Sequence, residues 1–155
     1  METGIQPEGD QAMDDEGRAQ LSGDNTVAFI LAGNAIFTLV NSETGNRFTF
    51  RVRRPKKDAP HFVSVLTGPD TDNDFQFLGT IFEGKTYVHG RKSGIGKDAQ
   101  SARVAAWAFP RIFEGTLPES IQVWHEGRCG KCGRRLTVPE SIMIGLGPTC
   151  ASKGL

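Results

Sequence analysis

All three cysteines of the chain lie near its C-terminus, and with His125 they form an H-x3-C-x2-C-x17-C array of His125, Cys129, Cys132 and Cys150. A C-x2-C turn can aim two thiolates at one point about 2.3 Å from a tetrahedral metal ion. Gly130 and Gly133 leave room for such a knuckle, and Gly145-Leu146-Gly147-Pro148-Thr149-Cys150 brings the third thiolate in on a second turn. The array predicts one structural zinc ion. The competing readings are a disulfide with a spare thiol, or three unrelated buried cysteines. An odd cysteine count with no signal segment ahead of it disfavours a secreted disulfide framework. His125 is the expected fourth ligand, with Glu126 or a water as the alternatives; a water in that position would mark a catalytic site rather than a staple.

The residues around the array carry a resemblance. The run Trp124-His125-Glu126-Gly127-Arg128-Cys129-Gly130-Lys131-Cys132-Gly133-Arg134-Arg135-Leu136-Thr137-Val138-Pro139-Glu140-Ser141-Ile142, closed by Gly145 to Cys150, resembles a small zinc-finger family found in bacteriophage, prophage and plasmid proteins. Its hallmark is C-x2-C-G-R-x-L-T-x-P-x-S-I followed by G-x-G-P-x-C. The stretches Phe62-Val63-Ser64-Val65-Leu66-Thr67-Gly68-Pro69 and His89-Gly90-Arg91-Lys92-Ser93 are similar to the uncharacterised domain that precedes this finger in some phage proteins. The resemblance implies a zinc site and a phage setting. The family has no established activity to transfer.

Net charge is zero over 155 residues, but the charge is unevenly placed. Residues 1–25 hold seven acidic groups and one basic group, Arg18, so the segment carries −6 and the remainder +6. The acidic segment has no aromatic residue to anchor it, which predicts a disordered tail over 1–25. Such a tail either solubilises the protein or mimics a polyanion resting on the basic body. The longest apolar run, Val27 to Ala32, falls far short of the ~18 residues a membrane span requires. Reduced cysteines without a targeting segment predict a cytoplasmic protein, and the phage setting that the resemblance implies makes that the cytoplasm of a bacterial host cell.

Between tail and finger, the apolar pattern predicts an α+β domain over 26–118: an antiparallel β-meander of four to five strands packed by one helix, ahead of a small zinc finger over 119–155. Ile36 to Val40 and Arg47 to Arg53 flank a Gly- and Asn-containing turn; Phe62 to Thr67 and Phe75 to Phe82 make a second pair, and Thr86 to His89 a fifth strand. A short turn or strand is expected from Val27 to Ala32, with Asn25 or Asp24 as its cap. A helix is expected from an Asp98 cap, through Ala102, Ala105 and Phe109, to a kink or end at Pro110.

Strand 47–53 carries the second functional signal. Period two places Phe48, Phe50 and Val52 on one face and Arg47, Thr49, Arg51 and Arg53 on the other. Arginines ~6.8 Å apart can track a phosphate backbone, since a guanidinium grips phosphate with two parallel donors. Arg54, Lys56 and Lys57 extend this group; Arg91 and Lys92 form a second, and Arg128, Lys131, Arg134 and Arg135 a third around the knuckle. Phenylalanines, Tyr87 or Trp124 are available for base stacking. A solvated edge strand would also use positive charge, to resist aggregation.

Other motifs fail on their required residues. Gly90 to Lys97 is not a phosphate loop, because Arg91 stands where its first glycine belongs and Asp98 replaces the magnesium-binding hydroxyl. Asp70, Asp72 and Asp74 open like a calcium loop, but Phe75 replaces its glycine and Ile81 its final glutamate. His61 and His89 are expected at strand ends, and no catalytic constellation emerges. The expected function is a phage accessory protein that binds DNA or RNA through basic surfaces. The alternative is a protein-binding module, for example an inhibitor of a host defence complex, whose basic face meets an acidic groove.

Overall fold

A computed structural model describes residues 19–70, 73–132 and 144–145. The described chain is α+β: seven strands in one antiparallel sheet, with two helices. The elements run β1 (Ala19–Leu21), α1 (Asp24–Ile30), β2 (Asn34–Asn41), β3 (Arg47–Arg53), β4 (His61–Leu66), β5 (Phe75–Phe82), β6 (Thr86–His89), α2 (Gln100–Glu114) and β7 (Ile121–His125). Their spatial order is β1-β7-β2-β3-β4-β5-β6. Strands β2 to β6 form the expected meander. After β6 the chain crosses back through α2, and β7 enters between β1 and β2.

Two strands therefore extend the expected count. Leu21 and Ala19 are buried and pair with Val123 and His125, so β1 lies inside the range assigned to the acidic tail. Three residues of alternation are too few to stand out against the acidic composition around them. Strand β7 lies inside the range assigned to the finger, yet all five of its residues pair with β2, from Phe37↔His125 to Asn41↔Ile121.

Helix α1 forms where a turn or strand was expected, and Gly23 rather than Asn25 or Asp24 precedes it, without a side-chain cap. Helix α2 starts after Ala99 rather than Asp98 and runs through Pro110. The proline removes an N–H that would have met the carbonyl of Ala106, an exposed residue, and the helix continues for four residues more. It ends at Gly115, φ 74°, where Thr116 N–H donates to the Arg111 carbonyl at 2.8 Å and Gly115 N–H to that of Ile112 at 3.2 Å. This is the left-handed glycine closure that uses up the last free carbonyls.

The core lies between α2 and one face of the sheet. Phe109 of α2 meets Phe37 at 6.2 Å and Phe50 at 5.8 Å edge to face, and stacks on Tyr87 at 5.2 Å. Phe29 of α1 packs on Phe37 and on His125 of the same face. Tyr87 is thus a core residue, unavailable for base stacking; burial pushes its hydroxyl up to about 12, and that hydroxyl finds no hydrogen-bond partner.

Candidate nucleic-acid interface

Among the described residues, no helix covers the other face of the sheet. Both described helices pack on the core side, and the register brings outward residues of neighbouring strands side by side. One rung runs Trp124, Thr38, Thr49; the next Ile36, Arg51, Ser64, Phe77; the third Asn34, Arg53, Phe62, Thr80, Val88. Phe62 is 38% exposed, Phe82 46% and Val88 47%, so a band of hydrocarbon faces water beside the arginines.

The alternation expected for β3 is present. Phe50 and Val52 are fully buried, Arg47 and Arg53 are exposed, and Arg51 is half-buried. Arg51 does not stand upright; its guanidinium lies over the Phe75 ring at 4.6 Å, and its Nε has no hydrogen-bond partner. Burial, and then the like charge of Arg53, pull its pKa below the ordinary arginine value. A bound anion would relieve the second effect directly. Among the described residues, no carboxylate forms an ion pair with Arg47, Arg51 or Arg53.

The remaining cations are more scattered. Lys56 and Lys57 are exposed in the loop after β3, whereas Arg54 braces that loop by donating from Nε to the Ala59 carbonyl at 2.9 Å. Arg91 and Lys92 are exposed next to Gly90, over which the Phe77 ring lies so closely that a Cβ there would sit 2.4 Å from it. Arg128 and Lys131 are exposed at the knuckle, but the knuckle is anchored on Phe29, towards the core side. Arg134 and Arg135 lie outside the described residues.

The aromatic residues of the open face were poorly anticipated as a group. Phe62, Phe75, Phe77 and Phe82 occupy outward positions, and a bulge between Val63/Ser64 and the opposing Phe77–Gly79 stretch keeps Phe77 outward while Leu78 is buried. The available signal was apolar residues at both parities of Phe62-Val63-Ser64-Val65-Leu66. Trp124 is half-buried on this face, its indole N–H donating to Gln122 Oε1 at 3.1 Å.

The first half of the cysteine array is also described. Lys131 N–H donates to Cys129 Sγ at 3.4 Å, the sulfur-directed amide expected of a knuckle thiolate. Gly130 N–H donates to the Gly145 carbonyl and Asn34 N–H to that of Gly130, both at 2.7 Å, so the two turns are tied to each other and to β2. Glycine is required at 130 because a Cβ would stand 2.7 Å from the Phe29 ring. Cys129 is buried and Cys132 exposed; Cys150 lies outside the described residues.

His125 closes β7 on the core side of the sheet, beside Phe29. It is fully buried, and its Nδ1 accepts the Gly127 N–H at 2.9 Å. A neutral imidazole has one acceptor nitrogen, so that bond leaves the proton on Nε2. Among the described residues no group of three or more His, Cys, Asp or Glu side chains is placed to hold a metal. The calcium-like tip turns inward instead: Asp74 Oδ2 accepts the Asp70 N–H at 2.9 Å, and Asn73 Nδ2 donates to Asp70. No described helix is long and apolar enough to cross a membrane.

Residues 124–153 match a family of unknown function (DUF6011), a similarity confined to this C-terminal part of the chain. The match begins inside β7, so in this protein the matched segment grows directly out of the sheet. Neither the curated proteins nor the solved structures compared with the chain hold a significant match.

Proposed function

We propose that this protein binds nucleic acid through the open face of its sheet, as an accessory protein of phage or prophage origin. The observation that carries this reading is the β3 row: Arg47, Arg51 and Arg53 share a face that no described helix covers, lack carboxylate partners, and are bordered by exposed rings. Phosphates supply the missing counter-charge. Affinity for oligonucleotides should fall steeply with salt, by a log-log slope of about −0.7 to −0.9 for each phosphate contact. Replacing all three arginines with Ala should flatten that slope while the melting temperature changes little, because none belongs to the apolar core. Deleting residues 1–16, which hold six acidic groups and stop short of β1, should strengthen binding. Salt-insensitive or absent binding to both single and double strands, with and without the tail, overturns the reading.

In this proposal, the three cysteine thiolates hold one structural zinc ion, which ties the knuckle to the second turn. His125 would join them by giving up the Gly127 hydrogen bond, binding either through Nδ1 itself or through Nε2 with the ring proton moved to Nδ1; otherwise Glu126 or water completes the shell. Metal analysis tests this: one zinc per chain in the wild type, lost in Cys129→Ser and Cys132→Ser, and kept in His125→Ala if the histidine is a packing residue. Absence of zinc from native protein ends the proposal.

The protein-binding alternative draws on a different feature. A cleft of about 290 Å³ opens between α2 and the β2–β3 hairpin, lined by Leu39, Phe48, Val104, Trp107, Ala108 and Ile121. Trp107 is 37% exposed there, with the Arg111 guanidinium 4.5 Å over its ring. An exposed Trp–Arg pair beside an apolar cleft is the kind of anchor that protein interfaces favour.

A further inference from the structure

Given nucleic-acid binding, on which this inference rests, we infer that the ligand is single-stranded, with bases lying on Phe62 and its neighbouring rings and the backbone held by Arg51 and Arg53. The site is the patch spanning β3 to β6. Arg53 stands directly opposite Phe62 across the β3–β4 ladder, and Phe62 meets Phe77 edge to face at 6.4 Å. Arg51, one rung away, is already flattened on Phe75. Small side chains lie among these groups, Ser64 opposite Phe77 and Thr80 opposite Phe62.

Shape argues against a duplex. The B-DNA major groove is about 12 Å wide and admits a helix or a two-stranded ribbon. Four adjacent strands at about 4.8 Å spacing present a surface ~14 Å across between the outer strand axes, before side chains are added. Such a face cannot enter the groove. In a duplex, moreover, bases cover one another and offer only their edges, whereas an unpaired base offers its whole face to a ring. Outward phenylalanines are of use to the second kind of ligand and costly to leave in water without it.

Charge selects the same occupant over an apolar protein surface. A hydrophobic partner would bury Arg51 and Arg53 without a counter-ion, which costs several kcal/mol per ion. A single strand supplies alternating phosphates and flat apolar faces, the two chemistries that alternate on this patch.

The test uses the full-length protein and fluorescein-labelled oligonucleotides of about 12 nucleotides, as DNA and RNA single strands and as a hairpin duplex of the same sequence. Single strands should bind more tightly than the duplex. Phe62→Ala should weaken single-strand binding roughly 5- to 150-fold, the range for one lost base stack, without altering the salt slope. Phe62→Trp should restore affinity, and its indole emission should be quenched by the bound strand. Arg53→Ala should instead reduce the slope by about 0.7. If Phe62→Ala and wild type agree within twofold, or the duplex binds as tightly, the stacking site is overturned although the phosphate-binding reading stands. If no oligonucleotide binds at all, both fall. Equal competition by a poly-glutamate peptide and by the single strand also overturns the assignment, in favour of an acidic protein.

Discussion

The two faces of the sheet share strands and residue types but differ in what their aromatic rings touch. On the core face, Phe37, Phe50 and Phe109 are fully buried and meet one another at centroid separations of 5.8 to 6.2 Å. On the open face, Phe62 and Phe77 meet each other, but Phe62 and Phe82 remain substantially in water, and Arg53 stands opposite Phe62. Rings on the first face stabilise the fold. On the second, Phe62 and Phe82 leave much of their surface in water, a difference that composition alone could not reveal.

Truncating one ring from each face gives the largest contrast. Phe109→Ala removes a ring in contact with Phe37, Phe50, Tyr87 and Phe113, and should destabilise the protein by about 3 to 5 kcal/mol in denaturant melts. Phe82→Ala, 46% exposed, should cost less than about 1 kcal/mol. Comparable losses would show that the open face is covered in solution, and would break the distinction.

A smaller effect is expected where knuckle and sheet meet. At Gly130 an added Cβ would stand 2.7 and 2.9 Å from the Phe29 ring and 3.0 Å from its carbonyl oxygen. The ring sits among Phe37 and His125 and cannot swing clear. Gly130→Ala should therefore cost about 1 to 3 kcal/mol by overpacking and, in the proposed zinc site, weaken metal binding through the adjacent Cys129. Unchanged stability would mean that the knuckle is not seated on α1, and would detach it from the core side of the comparison.

What was legible in the sequence follows the range of the interactions. Strands β2 to β6 announce themselves through period-two apolarity and local turns: at Asn41 to Asn46, the Asn41 carboxamide accepts the N–H groups of Glu43 and Thr44, and Gly45 adopts φ 80°. Strand β7 carries the same alternation, yet its place between β1 and β2 depends on partners far away in sequence. Strand β1 was hidden because Ala19 and Leu21 gain their meaning only from Val123 and His125. Pro110 misled because a break in one hydrogen bond is affordable where Phe109 and Ile112 on either side are buried. At the candidate site, the arginine row was visible as periodicity. The aromatic patch was not, since Phe62 comes from β4 and Phe75, Phe77 and Phe82 from β5, where the register shift hides from period-two counting that Phe77 and Phe82 share a face.

The smallest expected effect is a pH dependence confined to the core side. His61 is buried at the start of β4, and its Nε2–H donates to the Leu31 carbonyl at 3.0 Å, linking the end of α1 to the sheet. Burial holds its pKa below the ordinary histidine value; the Leu31 carbonyl opposes that shift and the charge of Arg54 adds to it. As pH falls below about 6.5, the unfolded chain takes up a proton that the folded protein resists. The stability contributed by neutral His61 is thus complete above that pH, declines as pH falls towards the folded-state value, and is constant below it. The loss can reach at most about 1.4 kcal/mol for each unit by which the pKa is lowered. Thermal melts between pH 8 and 5 should show this decline in the wild type and a shallower one in His61→Gln, which keeps a side-chain N–H donor but does not titrate. Parallel curves would place the acid sensitivity elsewhere, and would show that the α1–β4 link tolerates a charge as readily as the open face does.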